Sequence, residues 1–307
     1  MIGQGTVEEL ALQDVARAAT RGRPARSYWR ESWDRLRDNR VGMFAGYLIL
    51  ILALVAILAP FISTYVTHFD PIKQDLDSQF DPPSGRHWLG ADETGRDTLT
   101  RLLWGARISL GVGFLTVAIT LLAGGGVGLV AGFFHGRIDN VLMRIVDMVL
   151  AIPGIFLFIL MSILFTPSTL TLSLIIASVG WGGVARLVRG EVLTVKNRDF
   201  MLATRSLGAS NLRLILRHLL PNVLPVLIVA ASLGVGAIIL AEAALDFLGL
   251  GIHQPTPSWG NMLSNSQTYF AHSTWLVVFP GIMIFVTVLA ANIFGNAVRD
   301  AFDPRLR

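Results

Sequence analysis

Side chains able to hold or move a proton are scarce in the apolar parts of this chain. Asp147 and Glu242 are the only acids expected at membrane depth. A carboxylate in hydrocarbon is costly, so each is expected to face the bundle interior or water and to have a partner. Arg144 stands three residues before Asp147, which suits a local ion pair near one membrane face. Glu242 is expected within a turn or two of the outer surface, where water reaches it. Both are candidate pathway residues. The six histidines include no close pair at ligand spacing and cysteine is absent, so neither a metal site nor thiol chemistry is expected. No G-x-x-x-x-G-K-[ST], H-E-x-x-H or G-x-S-x-G occurs, and neither lysine follows a glycine. Gly126, Gly128 and Ala131 imitate a dinucleotide fingerprint, but no strand precedes them and the run is membrane-like. The chain is therefore not expected to bind ATP or to catalyse a reaction.

The elements that must position the two acids are membrane helices. Hydrophobic residues make up 53% of the 307 and charged residues 15%, which excludes an ordinary soluble domain. A span needs about 20 apolar residues. Uncharged runs place the first at 41–66, after a polar arm (1–40) that includes a surface helix around Tyr28–Arg40. Disorder is the alternative for the first twenty residues. An outer loop (67–107) precedes a core (108–303) with spans near 108–134, 143–165, 170–187, 221–245 and 275–297, and 304–307 form a tail. In the second span Gly124, Gly128 and Gly132 recur every four residues, a spacing that lets helices approach closely. Pro153, Pro225 and Pro280 are expected to kink their spans.

Six spans put both termini on one side, and positive charge names the side. With the termini inside, inner segments hold twenty of the 25 Lys and Arg, while the rest lie in the first outer loop. Net charge of +4 thus reflects membrane orientation and does not argue for nucleic acid.

One inner loop carries more pattern than orientation requires. From Asp199, Phe200, Ala203, Thr204 and Leu207 recur at helical spacing in a segment roughly 12 Å long. Asp199 is the expected N-cap, and Gly208 the left-handed residue that ends the helix. Ser210 caps a second helix, in which Leu212, Ile215, Leu216 and Leu219 form an apolar stripe opposite Arg213 and Arg217; Pro221 then ends it or opens the next segment. So short a helix needs a groove to hold it. An ordinary cytosolic hairpin is the plainer reading.

This loop resembles the Glu-Ala-Ala loop of permeases in binding-protein-dependent ABC importers. That pattern is E-A-A, three residues, G, nine residues, I-x-L-P. Leu202, Ala203, Thr204, Gly208, His218, Leu220 and Pro221 hold its register without insertion, although Leu202 replaces the acid and Thr204 the second alanine. Trp88 to Asp97 (WLGADETGRD), the MRIVDMVLAIP of the third span and Phe247 to Met262 (FLGLGIHQPTPSWGNM) are similar to the C-type permeases of the dipeptide, oligopeptide and nickel subfamily. The first is expected to form a capped turn and a helix along the outer surface. In the last, Trp259 suits the headgroup zone and is a third pathway or gating candidate. The resemblance implies an all-α membrane protein with the type I importer fold. Phe200, Leu202, Ala203, Thr204, Leu207, Gly208, Leu220 and Pro221 would then dock on a cytoplasmic ATPase, which holds the ATP and Mg while this chain binds no cofactor. A homologous B-type permease and an extracytoplasmic binding protein complete the implied partners, in a bacterial or archaeal inner membrane. Cargo is implied to be a small peptide, with nickel or another small solute as the alternative. A secondary transporter and a membrane hydrolase are the other classes; the first needs interior acids and the second a nucleophile with its base.

Overall fold

The computed structural model describes residues 28–270 and 272–303. The arm before Tyr28 and the tail 304–307 lie outside the described residues. Every regular element among the described residues is a helix. α1 (Tyr28–Asp38) meets α2 (Arg40–Thr67) at Asn39, whose side chain accepts from the Gly42 amide at 2.8 Å and caps α2. α1 is held by the C-terminal helix: the Tyr28 hydroxyl donates to the Phe302 carbonyl at 2.9 Å.

α3 (Thr98–Phe134) starts well before the apolar run that predicts it. Asp97 caps it by accepting from the Thr100 amide at 2.8 Å, and Arg101, which reads as a loop charge, is buried inside the fold. The first turns of α3 occupy the end of the stretch expected as a loop.

A pair, α4 (Gly136–Ala151) and α5 (Gly154–Leu164), stands where one span was expected at 143–165, with an 84° bend between them. Pro153 accounts for the break. It has no N–H to donate, and its ring pushes Ile152 into the extended region at φ −94° and ψ 127°. Pro225 and Pro280, by contrast, remain inside helices. The remaining elements are α6 (Thr169–Lys196), α7 (Asp199–Ser206), α8 (Asn211–Phe247), α9 (Ser266–Tyr269) and α10 (Trp275–Phe302). Among the described residues five helices are long and apolar enough to cross a membrane, or six with the bent pair as one span.

The tightest seam joins α3 to α6, and the glycine repeat makes it. A Cβ on Gly124 would lie 2.4 Å from the Trp181 carbonyl oxygen, and one on Gly128 2.6 Å from that of Ala185. Gly132 meets Val192 in the same way. Only a missing side chain lets the backbones come this close. A second seam, with Leu110, Val235, Ile239 and Ala291 buried in it, joins α3, α8 and α10.

Candidate functional site

The 199–221 loop begins where α6 ends. Arg198 is extended (φ −75°, ψ 147°) and precedes α7 without a side-chain cap, so Asp199 lies in the first turn and is not the N-cap. There its carboxylate still favours the positive end of the helix. The helix ends as the glycine predicts. Gly208 has φ +82°, its amide donates to Arg205 at 3.0 Å, and the Ala209 amide reaches back to Thr204 at 3.3 Å. These are the two bonds of a Schellman ending. A Cβ at Gly208 would meet nothing within 4 Å.

One side chain anchors α7. Met201 is 4% exposed and enters a cluster with Leu129, Phe133, Val192 and Val195, whereas Leu207 is 88% exposed. Phe200, Leu202 and Ala203 are also exposed. The Thr204 hydroxyl donates to the Phe200 carbonyl at 2.7 Å, within the helix itself. Sequence periodicity identified the outward face and missed the inward anchor, because one buried methionine makes no stripe.

The second half of the loop departs from its expected form. Ser210 accepts from the Arg213 amide at 3.4 Å, but Leu214–Leu219 then form a π turn inside the continuous helix α8. Leu214 and Leu219, five residues apart, are buried, while Leu212 and Leu216 are exposed. The i→i+5 bonding of a π turn brings such residues to one side, so the stripe drawn at 3.6-residue spacing is wrong. Pro221 lies in the next turn and does not end the helix. It lacks the N–H that an α-helix would return to Arg217, and Asn222 donates its side-chain amide to the His218 carbonyl at 2.7 Å.

Each of the three pathway candidates has surroundings other than those expected. Asp147 pairs with Arg186 of α6 at 2.6 Å and not with Arg144. Glu242 is fully buried away from water, accepting from the Ser109 hydroxyl at 2.9 Å. One turn on, Asp246 is also buried; it accepts from the Ile252 amide at 2.6 Å and from the Ser258 hydroxyl. The sequence reading missed Asp246 because it lies just past the expected span end. Trp259 is fully buried within the fold. Its indole N–H donates to the Leu102 carbonyl at 3.1 Å and its amide to Ser109 at 3.2 Å, wedging the 248–262 loop against α3.

The segment before α3 is closed by charge. Asp92 accepts from Arg96 Nε at 2.7 Å and lies 3.2 Å from Arg101 Nε, with all three side chains buried. Arg96 reaches Gln254 at 2.8 Å, and Arg101 the Pro71 and Pro255 carbonyls at 2.9 and 3.3 Å. The two segments 88–97 and 247–262, named for their family likeness, are thus tied to each other. Among the described residues no three His, Asp or Glu side chains gather as metal ligands.

Residues 124–307 match the family described as binding-protein-dependent transport system inner membrane component, and residues 27–83 the N-terminal TM domain of oligopeptide transport permease C. The dipeptide transport system permease protein of Bacillus subtilis (strain 168) is 41% identical over 286 residues, covering 93% of this chain and 88% of the relative. The oligopeptide transport system permease protein of that organism is 37% identical, covering 92% and 91%. A glutathione transport system permease protein of Pectobacterium atrosepticum is 36% identical, covering 94% of each. An inward-facing crystal form of the MetNI methionine ABC transporter aligns with a TM-score of 0.56 at 17% identity, over 67% of this chain and 97% of that one, a likeness of fold. Helices, core and sequence therefore agree: the chain belongs to the family of binding-protein-dependent transport system inner membrane components, and its fold is that of a type I ABC importer permease.

Proposed function

We propose that this chain is one of two membrane-spanning subunits of an ATP-driven peptide importer, and that an ATPase subunit grips it by α7. The observation that carries the docking role is α7 itself, a helix held by Met201 alone that leaves Phe200, Leu202, Ala203 and Leu207 open. Exposed apolar side chains on so short a helix mark a surface that a partner covers. The peptide cargo rests on the relatives, whose names specify dipeptide, oligopeptide and glutathione and favour peptide over nickel.

In this reading a homologous B-type permease completes the pathway, and a binding protein delivers cargo at the outer face. The ATPase subunits hold ATP and Mg, while this chain catalyses nothing and binds no cofactor. Both termini and α7 face the cytoplasm of a bacterial or archaeal cell. When ATP closes the ATPase pair, α7 moves with its groove and the helices exchange inward- and outward-open packings. Asp147, half exposed, suits the pathway wall, whereas Glu242 and Trp259 suit an outer seal.

The test uses the whole complex in proteoliposomes. Ala203→Cys is expected to crosslink to a cysteine in the ATPase groove, and peptide uptake to require both ATP and binding protein. A lone chain that takes up solute on an ion gradient would overturn the reading.

A further inference from the structure

The proposed docking role says how force reaches α7 but not how the bent pair α4–α5 follows. α6 leads directly into α7, so whatever fixes α4 to α6 decides this. Apolar packing alone would let α4 slide or roll. Two ion pairs span the contact. Arg189 of α6 holds Asp139 with both arms of its guanidinium, Nε to Oδ1 at 2.5 Å and Nη2 to Oδ2 at 2.7 Å, and Asp139 is buried. Farther along α4, Arg186 holds Asp147 at 2.6 Å.

The spacing of these pairs carries the argument. Asp139 and Asp147 are eight residues apart, about 12 Å along α4, while Arg186 and Arg189 are three apart, about 4.5 Å along α6. The two pairs therefore sit at different offsets along the two helices. One pair would act as a pivot; two at different offsets oppose sliding and rotation together. The fork of Arg189 adds angular definition that a point charge lacks.

The near end is tied as well. α3 turns into α4 through His135 at φ 55° and Gly136 at φ +64°, a corner in which successive left-handed residues reverse the chain. Lys196, the last residue of α6, donates to the Phe133 carbonyl at 2.5 Å and lies over that ring. Phe133 also shares an apolar cluster with Met201, the anchor of α7. His135 Nδ1 lies 3.6 Å from Asp139, on the exposed side of the corner.

We propose that the Asp139–Arg189 pair, backed by Arg186–Asp147, is a strap that makes the bent pair α4–α5 move as one body with the docking helix. Asp139 and Arg189 are positioning residues for coupled transport and touch neither cargo nor ATP. This inference rests on the docking role proposed for α7.

The experiment measures peptide transported per ATP hydrolysed by the assembled complex in proteoliposomes. Asp139→Asn keeps the shape and removes the charge; it is expected to leave assembly and ATP hydrolysis in place and to lower the transport-to-hydrolysis ratio about tenfold. Arg189→Lys keeps charge without the fork and is expected to fall between. The exchange D139R/R189D is expected to recover much of the ratio. A purely structural pair would change yield or melting temperature and leave the ratio alone, and that result overturns the strap.

A second measurement covers variants that assemble poorly. With cysteines at positions 139 and 189 joined by a short bismaleimide, the strap predicts retained coupling, because these helices do not move relative to each other. Transport blocked by that bridge, and restored when a cleavable linker is cut, overturns the proposal. The docking role is scored separately in the same preparation by the Ala203→Cys crosslink. Its absence removes the docking reading and the strap with it, whereas its presence beside an unchanged Asp139→Asn ratio removes the strap alone.

Discussion

Just before α3, Asp92 gathers bonds from the Thr94 amide and hydroxyl, the Arg96 amide and Nε, and lies against Arg101, all within the fold. At the other end of the molecule, α7 hangs on Met201 and leaves Leu207 with most of its surface open. Both segments are short. The difference lies in who satisfies them. A buried guanidinium or carboxylate loses its water, so its partners must be present in the same chain. An exposed leucine costs little until it is covered, and covering it stabilises by roughly 1.5–3 kcal/mol. The segment before α3 thus finds its partners within the chain, whereas α7 leaves Phe200, Leu202 and Leu207 exposed.

That contrast can be broken at its strong end first. Asp92→Ala leaves the buried Arg96 and Arg101 without their shared carboxylate and should cost about 3–5 kcal/mol. The expected result is a lower melting temperature in detergent and little protein in the membrane. Unchanged stability would show that this segment is not held by these charges.

Gly208→Val sharpens the comparison at intermediate cost. Left-handed backbone at φ +82° costs a side chain about 1–2 kcal/mol, yet the added atoms meet nothing in the free chain. Membrane abundance should therefore hold while ATP hydrolysis no longer drives uptake. Normal coupling in Gly208→Val vesicles would remove α7 from the drive train.

Leu207→Ser should have the smallest effect on the chain, within about 0.5 kcal/mol of its stability. Recovery of the ATPase with the purified chain is where its loss should register. If recovery is unchanged and melting temperature drops, Leu207 packs within the chain and the contrast fails at its weak end.

Much of this molecule is legible in local sequence, and the reason is that the relevant physics is local. Gly124, Gly128 and Gly132 announce a close helix contact because a period of four lies nearly on one helix face. Gly208 announces a left-handed ending because backbone chirality penalises every other residue there. Charge bias and apolar runs likewise act segment by segment, and they suffice for an all-helical membrane fold. The family likeness of the loop rests on spacing together with Ala203, Gly208, Leu220 and Pro221, although Leu202, Thr204 and His218 replace three of its characteristic side chains.

The tertiary structure decided whatever depends on a remote partner. Nothing near Asp147 in sequence identifies Arg186 as its partner over Arg144, because only the crossing of α4 and α6 brings them together. Trp259 reads as an interfacial aromatic until the loop folds inward and Leu102 accepts its indole proton. Glu242 reads as a charge within reach of water near a span end, and burial against Ser109, one turn from the buried Asp246 and its Ser258 partner, places it in a polar core. The π turn before Pro221 defeats periodicity outright, since a 3.6-residue rule cannot pair Leu214 with Leu219. Local chirality and hydropathy specify where helices form, but contacts between helices select each side chain's neighbours.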